Sequence, residues 1–232
     1  MTPRGRVAAR ARWPANVSAV SADDWLADTR TSYDTVADSY LDFTREALAK
    51  TPLLRGVLAM FAEAAREVGG PVADVGCGPG LITSHLHGLG LDVFGVDLSP
   101  RMVEIARRHH PDLRFQVGSM TDLDLADGSV GGVLAFYSVI HVPDAEVPTV
   151  FAHFHRVLRP GGVVMVGFHV GDRERLKTEG YGGHPMSVRV HRRPVERVTG
   201  WLRDAGFTIE AQVLVGPDEE VPGGMLIART KS

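Results

Sequence analysis

At 232 residues, with hydrophobic side chains at 44% and charged ones at 23%, the chain has the length and composition of one large globular domain, which excludes wholesale disorder and collagen-like repeats. Its formal charge of −3, from 25 basic and 28 acidic residues, offers no bulk attraction for nucleic acid and points to small-molecule partners. A single cysteine, Cys77, excludes an intramolecular disulfide and a cysteine-cluster zinc site and suits the reducing cytoplasm, and no apolar run approaches the ~18 residues of a membrane span.

Residues 1–20 carry Arg4, Arg6, Arg10 and Arg12 and no acid, yet lack the continuous apolar stretch of a secretory signal; they read as a flexible basic leader. One unit over 21–232 is expected to follow. From 21 to 49, Trp25, Leu26, Tyr33, Val36, Ala37, Tyr40 and Leu41 recur at helical steps. A second helix starts at Pro52 and stops at Gly69-Gly70.

Short apolar runs then alternate with helical patterns. VADVGC (72–77), DVFGVDL (92–98), RFQVGS (114–119), GGVLAFYS (131–138) and VVMVGFHV (163–170) are too continuously apolar to have a wet face, as buried parallel strands are. Helices are predicted near 80–89, 100–110 and 144–158, the second with Ser99 as N-cap and Pro100 at its first position. After a helix at about 194–205, FTIEAQVLV (207–215) and MLIART (225–230) read as an antiparallel pair at the sheet's edge. The expected fold is α/β: a doubly wound, mostly parallel sheet of seven strands with an antiparallel C-terminal pair.

In such a sheet the ligand sits at the carboxyl ends of the strands, and ADVGCGPG (73–80) is the loop after the first strand. Asp97, 21 residues after Gly76, ends the second strand where an acid bonds ribose hydroxyls. An NAD-dependent oxidoreductase shares these features, but the dinucleotide fingerprint G-x-G-x-x-G needs Gly or Ala where Leu81 stands.

With DVGCGPG (74–80), GVDLSP (95–100) and LRPGG (158–162) in this order, the chain resembles the class I S-adenosylmethionine-dependent methyltransferases, most of all the small type that acts on small molecules. The resemblance covers about residues 30–215. It implies the Rossmann-like methyltransferase fold and S-adenosyl-L-methionine as cofactor. It also implies that Asp74, Gly76, Gly78 and Gly80 line the methionine end, that Asp97 binds the ribose with Leu98 beside the adenine, and that Ser119 and Met120 flank the adenine. Phe136, Tyr137 and Ser138, ending the fourth strand, would border cofactor and substrate. The sequence departs from the family pattern twice: Ser119 stands where an Asp is common, and SVGGV (129–133) replaces S-F-D-x-V, which leaves Gly131 without a reason.

Methyl transfer from a sulfonium is an in-line displacement, so the protein mainly positions the reactants, and a base is needed only for a protonated acceptor. His141, just past the fourth strand in YSVIHVPD (137–144), is the first candidate base, though it could instead hold its loop. His169, ending the fifth strand, either reaches the substrate or is a buried, hydrogen-bonded histidine. Tyr33 and Tyr40 suggest a helical lid over 21–49, Tyr33 toward the cofactor and Tyr40 toward the substrate; aromatic core packing is the other reading. Cys77 has no nearby His–acid support for thiol chemistry. The segment 171–193, where this family builds substrate specificity, holds six basic residues against three acids, a surplus that suits an anionic acceptor or merely a solvated face. Tyr137 and Ser138 stand where a catechol-type enzyme needs carboxylates, so no metal is expected. A protein that binds S-adenosylmethionine without transferring a methyl group is a reading of a different class.

Overall fold

Five apolar segments assemble side by side, because strands without a polar face must be covered on both sides. The computed structural model describes residues 24–231, so the leader predicted over 1–20 lies outside the described residues. β1 (Val72–Val75), β2 (Val93–Asp97), β3 (Arg114–Val117), β4 (Val130–Phe136) and β5 (Leu158–Val170) pair in parallel in the order β3-β2-β1-β4-β5. The helices are α1 (Asp24–Thr44), α2 (Ala47–Lys50), α3 (Pro52–Val68), α4 (Leu81–Gly88), α5 (Pro100–His109), α6 (Val147–Val157) and α7 (Val195–Asp204). As the sequence predicts, Ser99 caps α5, its hydroxyl accepting the Met102 N–H at 3.0 Å, with Pro100 opening the helix. None of the helices among the described residues is long and apolar enough to cross a membrane.

The sheet is covered on both faces except at β3, where Arg114 and Val117 are exposed: the sequence expectation of a strand without a wet face fails there because β3 is an edge strand. Phe151, Phe154, Val198 and Leu202 of α6 and α7 pack against Val133, Val164 and Val166. Leu58, Phe61 and Leu86 of α3 and α4 pack against Leu134 and Met165 on the other face. β8 (Thr208–Val215) and β9 (Gly223–Arg229) form the expected antiparallel pair, and β9 also runs antiparallel along β5 from Val163 to His169. The predicted seven-stranded frame is therefore complete, in the order β3-β2-β1-β4-β5-β9-β8.

Three features go beyond the sequence reading. The helix predicted over 21–49 ends at Thr44, and α2 follows as a separate turn. The segment 171–193 is a hairpin of β6 (Glu174–Glu179) and β7 (Pro185–Arg193), which brings the sheet to nine strands. β4 pairs with β5 only as far as Gly167, and β7 pairs in parallel with β5 at His169 and Val170. Since β9 holds the other edge of β5 at His169, the hairpin takes the edge that β4 vacates and stands over the carboxyl end of β4.

The reason for Gly131 is now physical. A Cβ there would lie 2.0 Å from the Gly69 carbonyl oxygen, while the Gly131 N–H donates to Pro71 O at 2.8 Å. The turn that ends α3 closes so tightly on β4 that no side chain fits.

Candidate functional site

The order of connection reverses between β1 and β4, and the loops beyond their carboxyl ends part there to leave a cavity. The glycine loop forms its floor. Gly76 has φ 80°, and a Cβ on it would stand 2.2 Å from the Ser138 Cβ. Gly78 lines the cavity as well. Gly80 does not line it: a Cβ there would meet the Phe115 ring at 2.8 Å, so this glycine serves the packing of the loop on β3.

Asp97 is held from both sides. Oδ2 accepts the Gly78 N–H at 2.7 Å and Oδ1 accepts the Ser99 N–H at 2.8 Å, which leaves further lone pairs on each oxygen. Burial pushes its carboxyl up to about 6 against these hydrogen bonds, and nearby Asp34 adds to the rise. Asp74 is sealed at 1% exposure, accepts the Thr83 hydroxyl at 2.6 Å and is pushed up to about 7, chiefly by burial and further by Asp97. It lines a second recess with Leu81 and Ile82 that adjoins the main cavity through Tyr40, Gly76, Gly78 and Phe136. Two buried carboxyls that resist ionisation make this an environment suited to a cationic ligand.

Leu98, Ser119 and Met120 line the far end of the cavity. The Ser119 hydroxyl is already engaged with the Thr121 hydroxyl at 2.7 Å. Phe136, Tyr137 and Ser138 border the near end. Ser138 donates to the Val75 carbonyl at 2.7 Å and so ties the ends of β4 and β1 together. Tyr137, at φ 51°, is the one non-glycine residue with positive φ among the described residues, a strain of order 1–3 kcal/mol. Its ring meets Phe136 edge-on at 4.7 Å.

His141 is buried, and both ring nitrogens have partners. Nδ1 lies 2.9 Å from the Arg189 carbonyl oxygen of β7, and Nε2 lies 2.7 Å from the Tyr33 hydroxyl of α1. A carbonyl only accepts, so Nδ1 carries the proton, Nε2 is the free base, and the Tyr33 hydroxyl donates to it. Burial holds the imidazole down to about 4, with His191, His169 and Lys177 adding to the effect, and the same burial pushes the Tyr33 phenol up. The pair is thus neutral at neutral pH.

α1 roofs the cavity with Trp25, Leu26, Thr29, Arg30, Tyr33 and Tyr40. It is seated at three places. Asp34 accepts from the Ser99 hydroxyl at 2.6 Å and from the Arg101 N–H at 3.1 Å; Ser32 accepts the Ser187 N–H of β7 at 2.8 Å; Tyr33 reaches His141. Arg30 is the cavity's one cationic side chain among the described residues, and with Thr29 it escaped the sequence reading. The spacing of 26, 30, 33, 37 and 40 along one helix face was the available signal.

Not every candidate converges. His169 lies outside the cavity lining, its ring 4.9 Å from that of Tyr137. Of the six basic residues in 171–193, Arg173 and Arg189 are paired with the segment's own Asp172 and Glu174, and Arg193 is paired with Asp144 outside it, so one charge of the surplus is offset from beyond the segment. The Cys77 thiol is buried and pushed up, the opposite of an activated thiol. Among the described residues no three His, Cys, Asp or Glu side chains group closely enough to hold a metal ion.

Residues 72–162 match the family model of a methyltransferase domain. The chain is 30% identical to the ubiquinone biosynthesis O-methyltransferase of Xanthomonas axonopodis pv. citri (strain 306) over 158 residues, 61% of this chain and 64% of that protein. It is 29% identical to the demethylmenaquinone methyltransferase of Renibacterium salmoninarum over 150 residues, 65% of this chain and 62% of the relative. In both cases the match spans less than two thirds of the relative's length. Among solved structures, the Burkholderia thailandensis 1,6-didemethyltoxoflavin-N1-methyltransferase, with bound 1,6-didemethyltoxoflavin and S-adenosylhomocysteine, gives a TM-score of 0.70 at 22% identity over 94% of each chain, a likeness of fold. The matched segment, the order of the strands and the glycine loop beneath the cavity together mark residues 72–162 as a methyltransferase domain within a Rossmann-like methyltransferase fold.

Proposed function

We propose that the chain transfers a methyl group from S-adenosylmethionine to an oxygen or nitrogen of a small-molecule acceptor, and that Tyr33 and His141 take up the acceptor's proton. The observation that carries the reading is the Tyr33–His141 hydrogen bond, which faces the same cavity as Asp97 and the glycine loop. When bound, S-adenosylmethionine supplies a methyl group already activated on a sulfonium, so the chain needs no electrophile of its own.

The residues present fit that cofactor. Asp97 has lone pairs left for ribose hydroxyls, Leu98 and Met120 offer apolar surfaces to an adenine with Ser119 at its edge, and Asp74 with Gly76 and Gly78 suits the methionine end. The raised carboxyls of Asp74 and Asp97 support a ligand that brings positive charge. Phe136, Tyr137 and Ser138 would lie between cofactor and acceptor, and Arg30 supports an acceptor with an anionic substituent.

Tyr33 takes the proton of the acceptor's O–H or N–H on its hydroxyl oxygen while its own proton passes to His141 Nε2. The imidazolium then carries a proton on each nitrogen, and Nδ1–H stays on the Arg189 carbonyl. α1 excludes water from the exchange.

The test is S-adenosylhomocysteine formation over a panel of phenols and amines, each with and without a carboxylate. With the best acceptor, Tyr33→Phe and His141→Ala should each lower kcat by roughly 100-fold, the contribution typical of a proton acceptor. S-adenosylhomocysteine affinity should stay within about twofold in His141→Ala. Tighter binding of NAD than of S-adenosylhomocysteine would overturn the assignment; full turnover in His141→Ala would overturn the role of the pair.

A further inference from the structure

Arg193, at the end of β7, is the most voluminous of the fully buried side chains, at 1% exposure. Its guanidinium donates to Asp144 Oδ1 at 2.9 Å, to the Val139 carbonyl at 3.0 Å and to the Val142 carbonyl, and lies 5.5 Å from the centre of the Trp201 ring. Asp144 is held in turn by Arg197 at 3.0 Å. Each of the three acceptors belongs to residues 139–144, the turn that carries His141. Burying a guanidinium is costly, and an apolar side chain would fill such a space at lower electrostatic cost. What the planar fork adds is geometry: it fixes two carbonyls and one carboxylate at once, which neither an apolar chain nor an ammonium does.

β7 grips the same turn a second time. Arg189, four residues earlier, accepts the His141 Nδ1–H and so sets the tautomer. We propose that Arg193 is a positioning residue for His141: it fixes the backbone of the turn so that the ring meets the Arg189 carbonyl with one nitrogen and Tyr33 with the other. Tyr33, His169, His191 and Lys177 surround His141, and Asp144, Arg197 and His191 surround Arg193, so a shift of the turn changes the setting of the ring without removing any of its neighbours. The inference rests on the proposed role of His141, but its first readout does not depend on turnover.

The experiment uses the full chain, with nitrogen-15 NMR of the His141 ring in wild type, Arg193→Lys and Asp144→Ala. In wild type, Nδ1 should be protonated and Nε2 should accept a hydrogen bond. Arg193→Lys should mix the tautomers and raise the His141 titration from about 4 toward the ordinary 6.5 as water reaches the ring. Its kcat should fall by roughly 10- to 100-fold, as for a reacting group displaced by about 1 Å, with the KM for S-adenosylmethionine within about twofold. Asp144→Ala should shift the ring signals in the same direction by less. If Arg193→Lys does not fold, Asp144→Ala decides, since the side chain of Asp144 is 43% exposed. Wild-type ring signals and titration in folded variants would overturn the inference. Failure of the wild type to bind S-adenosylhomocysteine would instead overturn the cofactor reading and leave the ring measurement valid.

Discussion

Asp74 is held under the glycine loop at the expense of its own solvation, and the sign of its effect on stability follows. Its carboxyl titrates at about 7 in the folded chain against an ordinary 3.8, so between those values the folded state keeps a proton that the unfolded state has lost. Stability through this group therefore declines as pH rises from about 4 to about 7. Asparagine keeps the Thr83 hydrogen bond without the titration. The Tm of Asp74→Asn minus that of wild type, without ligand, should grow from pH 5 to pH 8; a constant or shrinking difference would show that the carboxyl ionises freely. His141 pulls the other way over part of this range, but both proteins contain it and it cancels in the difference. Asp97 gives a second expectation. Bonds from hydroxyls to a charged acceptor are worth about 1.5–3 kcal/mol each, so Asp97→Ala should weaken S-adenosylhomocysteine binding at least about tenfold by calorimetry. Equal affinity would remove Asp97 from the cofactor site.

At the scale of elements, α1 is seated by polar bonds to α5, to β7 and to the turn after β4 and by burial of Val36, Ala37 and Leu41 against Met102, Ile105, Met186 and Val188, and it roofs a cavity that a ligand must enter. Its apolar contacts form two small clusters apart from the main core of the sheet, and it precedes the first strand, so α1 is suited to act as a lid. Amide exchange over residues 24–44 should slow when S-adenosylhomocysteine is added, while the strands stay protected with and without it. Equal protection of 24–44 in both conditions would mean that the helix is permanently docked. The helix itself was legible in the sequence because its buried face repeats at three and four residues. The hairpin was not. β6 reads ERLKTE with its side chains exposed or half-buried, so no alternation marks it, and in β7 only Met186 and Val188 are fully buried apolar residues. Its place in the sheet depends on β5 outrunning β4, a difference between segments that no local pattern carries.

Across the whole molecule, what the sequence revealed was what burial imposes locally. β1, β2, β4 and the apolar middle of β5 stand out because both their faces are covered, which the edge strand β3 is not, and the glycine loop stands out because its φ angles exclude most side chains. What it hid are juxtapositions between distant segments: Tyr33 with His141 across 108 positions, Gly131 beneath the Gly69 carbonyl, Arg193 around the turn at 139–144. One such juxtaposition bears on how the protein is made. β9, the last in chain order of the strands among the described residues, lies in the interior of the sheet between β5 and β8. Until it leaves the ribosome, β5 presents an open, apolar edge of seven residues, Val163 to His169, with backbone groups ready to pair with another chain. The nascent protein can gather its first five strands, but the sheet closes only after translation has passed residue 229.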